Sequence, residues 1–180
     1  DVQVVGSGAL ALAAVSGVLN EAGYAVHNLG DGIAGDAVAA AQDQAARIRA
    51  LPPGRHALIS GGETTVAVKS EGGRGGRCLT FLAGLMAALG DLSGVHALAA
   101  DTDGIDGSSD AAGAFLDPTS TTRAAAVGRS PQAALDACDT HDLFDALGDL
   151  HVTGPTGTNV NDLRIVLVDR PAVGRAGPTR

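Results

Sequence analysis

Apolar residues in this chain fall into short runs separated by glycine-rich breaks, and the runs alternate between strand-like and helix-like periods. Residues 2–5 form a strand-like run, broken by Gly6-Ser7-Gly8. Residues 9–22 are rich in Ala, Leu and Val and predict a helix ending at Gly23, a favoured C-terminal glycine. Residues 24–29 predict a second strand, and residues 34–51 a long helix closed by Pro52-Pro53-Gly54. Two more strands are predicted at 56–60 and 64–69, then a helix at 77–89 and a buried strand at 95–100. An acidic, glycine-broken loop follows over 101–113. Short helices are predicted at 119–127, 131–138 and 141–147, the second opened by Pro131 in the first-turn position. A strand end at 151–153, a polar loop at 154–162 and a last strand at 163–168 complete the pattern. The tail from Arg170 onward shows no periodicity and reads as loose. Strands alternating with helices predict an α/β class: layered helices around a mixed, largely parallel sheet in a single domain.

Composition narrows the class. At 180 residues the chain can bury one good core, and 45% hydrophobic content fits a folded globular domain. A net charge of −8 argues against nucleic acid as a partner, because phosphate backbones want a basic face. The longest apolar stretch, residues 81–89, is too short to span a bilayer, so no membrane is expected. The two cysteines, Cys78 and Cys138, stand far apart and outside any metal-binding spacing. A reducing, cytoplasmic location is the expectation. The chain begins at Asp1, directly before a strand-like run, and reads as a fragment or processed chain.

Against that acidic background, one stretch departs. Residues 60–69 run from Ser60 through Gly61, Gly62, Glu63 and Thr64 to Lys69, and Gly72-Gly73-Arg74-Gly75-Gly76-Arg77 follows. Glycine lets backbone N–H groups turn toward a ligand, and arginine grips carboxylate or phosphate oxygens in a fork. The loop also opens a helix at Arg77, so helix N–H groups and two guanidiniums can converge on one anion. It lacks the G-x-x-x-x-G-K-[ST] pattern of a P-loop. The alternative is a flexible connection with solvated arginines.

Three weaker patterns accompany it. Gly6-Ser7-Gly8-Ala9-Leu10-Ala11, with Asp31 after the second strand, has the outline of a dinucleotide-binding turn, although a plain strand-to-helix turn is the preferred reading. Asp101 and Asp103 lie at the end of a buried strand, where ligands bind in open sheets. Carboxylates two apart can share a hard cation, or can simply cap backbone N–H groups. The spacing does not fit an EF-hand, since Asp106 stands where glycine is required. Thr156, Thr158 and Asn159 offer small donors and acceptors on the 154–162 loop. Cys78 at a helix start is read as a buried bystander, and the five scattered histidines form no catalytic or metal-binding order.

Taken in order, Ser60–Lys69, Gly75-Gly76-Arg77, Ala100–Gly107 and Val152–Leu163 resemble the C-terminal part of the glycerate 2-kinases, which carry the MOFRL domain and also go under the name hydroxypyruvate reductase. Val5-Gly6-Ser7 with Leu10-Ala11-Leu12 resembles the start of that region, so the resemblance spans most of residues 1–170, with a MOFRL-like core at about 54–168 and a loose tail at 171–180. It implies ATP-dependent phosphorylation of D-glycerate to 2-phosphoglycerate, in a cleft between this domain and a larger N-terminal domain that carries the catalytic lysine. No part of this chain corresponds to that domain, so the fragment is expected to be inactive alone and to work with its own N-terminal domain, with a homodimer as a further expectation. The resemblance implies catalytic roles for Glu63, Thr64 and Arg77. It implies phosphate or substrate contacts for Gly61, Gly62, Arg74, Gly75, Gly76, Thr156, Thr158 and Asn159, and Mg²⁺ ligation for Asp101 and Asp103. ATP and Mg²⁺ are the implied cofactors. One departure stands out: the family continues Asn-x-Glu and an aromatic after Gly-Gly-Arg, where this chain has Cys78-Leu79-Thr80-Phe81. Altered specificity or lower activity is the consequence expected. The rival readings are an NAD(P)H-dependent hydroxypyruvate reductase using the Gly6–Ala11 turn and a non-catalytic anion-binding or sensing domain.

Overall fold

The computed structural model describes residues 6–67 and 73–171. The predicted strand at 2–5, Lys69, Gly72 and the tail beyond 171 lie outside the described residues. In chain order the elements are α1 (Gly8–Glu21), β1 (Ala25–Asn28), β2 (Ile33–Asp36), α2 (Ala37–Ala50), β3 (Gly54–Thr65), α3 (Arg77–Leu89), β4 (Val95–Asp101), β5 (Gly113–Leu116), α4 (Ser120–Ala126), α5 (Pro131–Asp136), α6 (Thr140–Leu147), β6 (Leu150–His151) and β7 (Asp162–Arg170). The strands form one mixed sheet in the order β1-β3-β7-β4-β5-β6, with β2 beside the second half of β3.

Helices layered on a mixed sheet match the α/β expectation, but the sheet is not largely parallel. Only β1 and β2 run parallel to β3. The β3–β7, β4–β7, β4–β5 and β5–β6 ladders are antiparallel. The cause is β7, which enters the centre of the sheet from the 154–161 loop and runs against both neighbours. Burial strictly alternates along β4, the signature of a sheet with one packed and one wetter face.

The packed face carries α3. Its residues Cys78, Leu79, Thr80, Phe81, Leu82, Ala83, Gly84, Leu85 and Met86 are all buried, so α3 is covered around its whole circumference for two turns, with Thr80 the one polar side chain among them. It sits between the sheet, α2 and the short helices α5 and α6. Close approach of α2 needs small residues: Ala37, Ala41 and Ala45 are fully buried, and a Cβ on Gly84 would lie 3.0 Å from the Ala41 methyl. On the opposite face α1 packs on β1, β3 and β7, burying only Leu12 and leaving Leu10 and Val18 exposed. Ser7 caps α1 by accepting from the Leu10 N–H at 3.2 Å, and Pro131 opens α5 as predicted.

The two strands predicted at 56–60 and 64–69 are one twelve-residue strand through Thr65. Gly61-Gly62 is therefore not a turn. Both residues stay in register with β7, Gly61 opposite Leu163 and Gly62 opposite Asp162. The short strand β2 falls at the start of the predicted 34–51 helix, and β5 begins at the last residue of the predicted 101–113 loop; four residues each carry too little pattern to separate them.

Candidate functional site

The site forms where β3, β7 and β4 end together. Gly62, Asp162 and Asp101 stand in one row across the three strands. The first residue of α3, Arg77, is placed over that row. Its Nη1 donates to Glu63 Oε1 at 2.8 Å, its Nη2 to Asp101 Oδ2 at 2.5 Å and its Nε to Asp162 Oδ1 at 3.2 Å. One guanidinium thus joins three carboxylates from three strands. Burial works against the charge on Arg77, and Asp162, Asp101 and Glu63 together overcome it and raise its pKa. Burial likewise raises the Asp101 carboxyl above the usual range, against the opposing pull of the Asp103 N–H and Arg77.

Two helix N-termini meet beside this cluster. Gly76 precedes α3 without a side-chain cap of its own. A distant carboxylate does the capping: Asp106 accepts from the Cys78 N–H at 3.0 Å and the Leu79 N–H at 2.9 Å. A Cβ on Gly76 would fall 2.3 Å from Asp106 Oδ1, so glycine is required for this approach. Ser108 clasps the same loop, its Oγ accepting from the Gly75 N–H at 3.1 Å and its N–H donating to Gly75 O at 2.9 Å. Arg74 is tied to the start of α6: its N–H donates to Asp139, and its carbonyl accepts from the His141 N–H. The Arg74 side chain makes an exposed pair with Asp110 at 3.1 Å, and His141 reaches the same Asp110 oxygen at 2.9 Å. The His141 hydrogen bond, then the Asp110 backbone N–H and more weakly Arg74, hold the Asp110 carboxyl below its ordinary value.

A groove of about 610 Å³ runs along these parts, lined by Glu63, Thr64, Gly75, Gly76, Arg77, Ser108 and Thr140 among others. It brings together five of the residues singled out in the sequence: Glu63, Thr64, Gly75, Gly76 and Arg77. Gly61 lies behind it, where a Cβ would meet Asp162 O at 3.2 Å and Asp31 at 3.3 Å. Thr156, Thr158 and Asn159 do not line the groove. They belong to a second loop pair, in which Thr156 donates to Thr102 O and Asn159 Nδ2 lies 3.4 Å from Asp103 Oδ2.

The carboxylates proposed for Mg²⁺ are already engaged. Asp101 holds Arg77 and the Asp103 N–H, while Asp103 accepts from the Ile105 N–H at 2.9 Å and from Asn159. Among the described residues no group of three or more His, Cys, Asp or Glu is placed to hold a metal ion. The residues present do not fit a protein-bound Mg²⁺ in this arrangement. Cys78 is fully buried, and burial pushes its thiol well above the usual range, which makes it inert. Position 78 therefore faces the core, whereas Thr80 borders the groove.

The dinucleotide-like turn is closed. A Cβ on Gly8 would lie 2.8 Å from Asp31 Cβ and 3.0 Å from Asp31 Oδ2. The Asp31 side chain thus covers the start of α1, where a pyrophosphate would have to sit.

Asp106, Ser108, Asp110, His141, Asp162 and Arg164 were missed from sequence. The legible signal was Asp162-x-Arg164: two charges at alternate positions, ahead of an apolar run over 165–168, share the face of Val166 and Val168.

Asp106 gives a direct test of the capping geometry. Burial raises its pKa from 3.8 to about 6, although the two α3 N–H groups favour the ionised form. Between these values the folded chain binds a proton that the unfolded chain does not. Its contribution to stability is therefore fully present below pH 3.8 and declines as pH rises through about 6, by up to about 3 kcal/mol. Thermal melts should show the parent protein gaining on Asp106→Asn as pH falls from 7 toward 4; a constant gap between the two would contradict this placement.

The fold and groove define a class: an α/β domain with a cleft built from a glycine loop, two helix starts and a buried arginine–carboxylate cluster. Residues 56–162 match the MOFRL family, and the chain belongs to that family. A protein of Agrobacterium vitis that goes under the name hydroxypyruvate reductase is 44% identical over 175 residues, covering 93% of this chain and 40% of its own length. The D-glycerate 2-kinase of Thermotoga maritima is 44% identical over 112 residues, covering 62% of this chain and 27% of the relative. A crystal structure of glycerate kinase (EC 2.7.1.31) from Thermotoga maritima superposes with a TM-score of 0.85 at 33% identity, covering 93% of this chain and 42% of that one. The chain thus spans less than half the length of these relatives. Among the described residues no helix is long and apolar enough to cross a membrane.

Proposed function

We propose that this chain is the C-terminal domain of an ATP-dependent glycerate 2-kinase that converts D-glycerate to 2-phosphoglycerate, working against a larger N-terminal domain. The observation that carries the reading is the groove over Arg77, in a chain whose fold closely follows a glycerate kinase. Phosphoryl transfer needs positioning and charge control more than covalent help from the protein. The glycerate 2-hydroxyl oxygen bonds to the γ-phosphorus as the bond to the β-phosphate oxygen breaks. ADP leaves and the hydroxyl proton passes to a base.

In this reading Glu63 is the groove carboxylate that orients the substrate hydroxyl. Arg77 holds one of its oxygens and so fixes the direction of the other. Thr64 Oγ1 accepts from Arg164, so its own proton is the one it offers to substrate. Arg74 contacts phosphate or the glycerate carboxylate, because its exposed pair with Asp110 is weak and readily exchanged. Gly75 and Gly76 line the same space, and Gly61 and Gly62 set the strand beneath it. Thr156, Thr158 and Asn159 hold the loop that carries Asp103, and contact substrate only if the loop pair meets the other domain. With Asp101 and Asp103 engaged internally, no step is routed through a metal bound by this chain.

The reductase name of the Agrobacterium vitis relative favours a second reading, but the Asp31 side chain over Gly8 works against a dinucleotide there. The experiment is ADP release by the full-length protein on addition of D-glycerate. Saturable release, absent from the isolated 180-residue chain, is the expected result. No release from the full-length protein with any concentration of glycerate would overturn the reading.

A further inference from the structure

Arg164 is the largest fully buried side chain in the described structure and lies on the same strand face as Val166 and Val168, which pack in the core. A residue serving only the fold at this position would be apolar, since a buried charge has to be matched by partners. Its partners are specific. Nη1 donates to Gly61 O at 3.3 Å, and Nη2 donates to Thr64 Oγ1 at 3.1 Å and to Asp162 Oδ2. The guanidinium lies over the Phe81 ring, 5.3 Å from its centre. Its Nε finds no hydrogen-bond partner among the described residues, so the group is not held for its own satisfaction.

Asp162 divides its two oxygens. Oδ2 is taken by Arg164, and Oδ1 faces both Arg77 Nε at 3.2 Å and Nη2 at 3.1 Å. A guanidinium is planar, so fixing Nε fixes the directions of both Nη atoms. We propose that Arg164 is a positioning residue: through Asp162 it sets the plane of Arg77, which places Glu63 and Asp101 in the groove. Without Arg164, Asp162 Oδ2 loses its partner and the carboxylate turns, carrying Nε and Nη2 of Arg77 with it and swinging Nη1 off Glu63. Arg164 also reaches the groove directly through Thr64. The kinetic consequence rests on the phosphoryl-transfer reading; the structural one does not.

The test uses the full-length protein with Arg164→Lys, which keeps the charge and loses the fork, and Arg164→Met, which keeps volume. Two readouts are taken: the Arg77 Nε–H signal by nitrogen-edited NMR, and kcat and KM for D-glycerate. In both folded variants the Arg77 signal should move and lose its protection from exchange. Turnover should fall roughly 100-fold, as expected for misplaced groups, with KM much less affected. In an Arg77→Lys background, Arg164→Met should add little further loss, because the two act in series. A folded variant with an unmoved Arg77 signal, or losses that multiply in the double variant, overturns the proposal. Should Arg164→Met not fold, Arg164→Lys and Asp162→Asn carry the same two readouts. A protein whose Arg77 signal responds but which transfers no phosphate contradicts the kinase reading and leaves the positioning role standing.

Discussion

Replacing Arg77 with alanine in the full-length protein is expected to lower kinase turnover by roughly 100-fold or more, because a single misplaced group costs about that much. The same change should destabilise the fold by about 3–5 kcal/mol, the usual result of removing one partner from a buried ion pair. The reason is geometric. Asp162 is wholly buried and Asp101 nearly so, and each loses a hydrogen bond to Arg77. Glu63, largely exposed, loses its ion pair with Arg77 but can turn to water. Stability should therefore follow Asp162 and Asp101, whereas activity follows Glu63. Urea denaturation together with ADP release separates the two effects. An Arg77→Ala protein with unchanged stability would refute the buried cluster, and unchanged turnover would refute its role in catalysis.

The second large effect is expected at Gly62. A Cβ there would lie 2.3 Å from Ile33 O and 2.5 Å from Ile33 N, in a residue whose φ is +107°. Both clashes are with backbone of β2, which pairs in parallel at that register, so no side-chain rotation relieves them. Gly62→Ala should detach β2 from β3 and lower stability by about 3 kcal/mol or more, in the range of severe overpacking combined with left-handed strain. Gly30 is the matched comparison: its φ is +87°, but a Cβ there meets nothing within 4 Å. Gly30→Ala should cost only about 1–2 kcal/mol, the strain without the clash. Equal denaturation midpoints for the two variants would contradict the close β2–β3 approach.

These two positions also mark where sequence reasoning succeeded and where it stopped. Periodicity placed α1, α2 and α3 within a few residues, because long apolar helices with clear ends carry their own signal. It placed the glycine loop ahead of Arg77, and the structure puts that loop beside a groove. Gly61-Gly62 misled it. A glycine pair normally marks a turn, and only the pairing with β7, about a hundred residues later, keeps the strand continuous. The antiparallel centre of the sheet was hidden for the same reason: strand direction depends on the long connection before β7, not on local pattern.

Charge was the other blind spot. Arginine is expected at the surface, so Arg77 was read as a free grip for an anion. Its surroundings instead carry three carboxylates, two from strand ends far apart in sequence. Arg164 was passed over entirely, since a buried arginine makes sense only once Asp162, Thr64 and Phe81 are seen around it. Asp106 looked like one acid among many in a loop. Its function as the cap of α3 depends on a fold that brings residue 106 to residues 78 and 79.

The central claim is phosphoryl transfer to glycerate, and the product of the reaction tests it most directly. Full-length protein would be incubated with D-glycerate and ATP, and separately with hydroxypyruvate and NADH, with the first mixture followed by phosphorus NMR. The account predicts a new phosphomonoester signal assigned to 2-phosphoglycerate, with ADP in equal amount and no NADH consumed in the second mixture. Oxidation of NADH by hydroxypyruvate with no phosphorylated glycerate formed would contradict it.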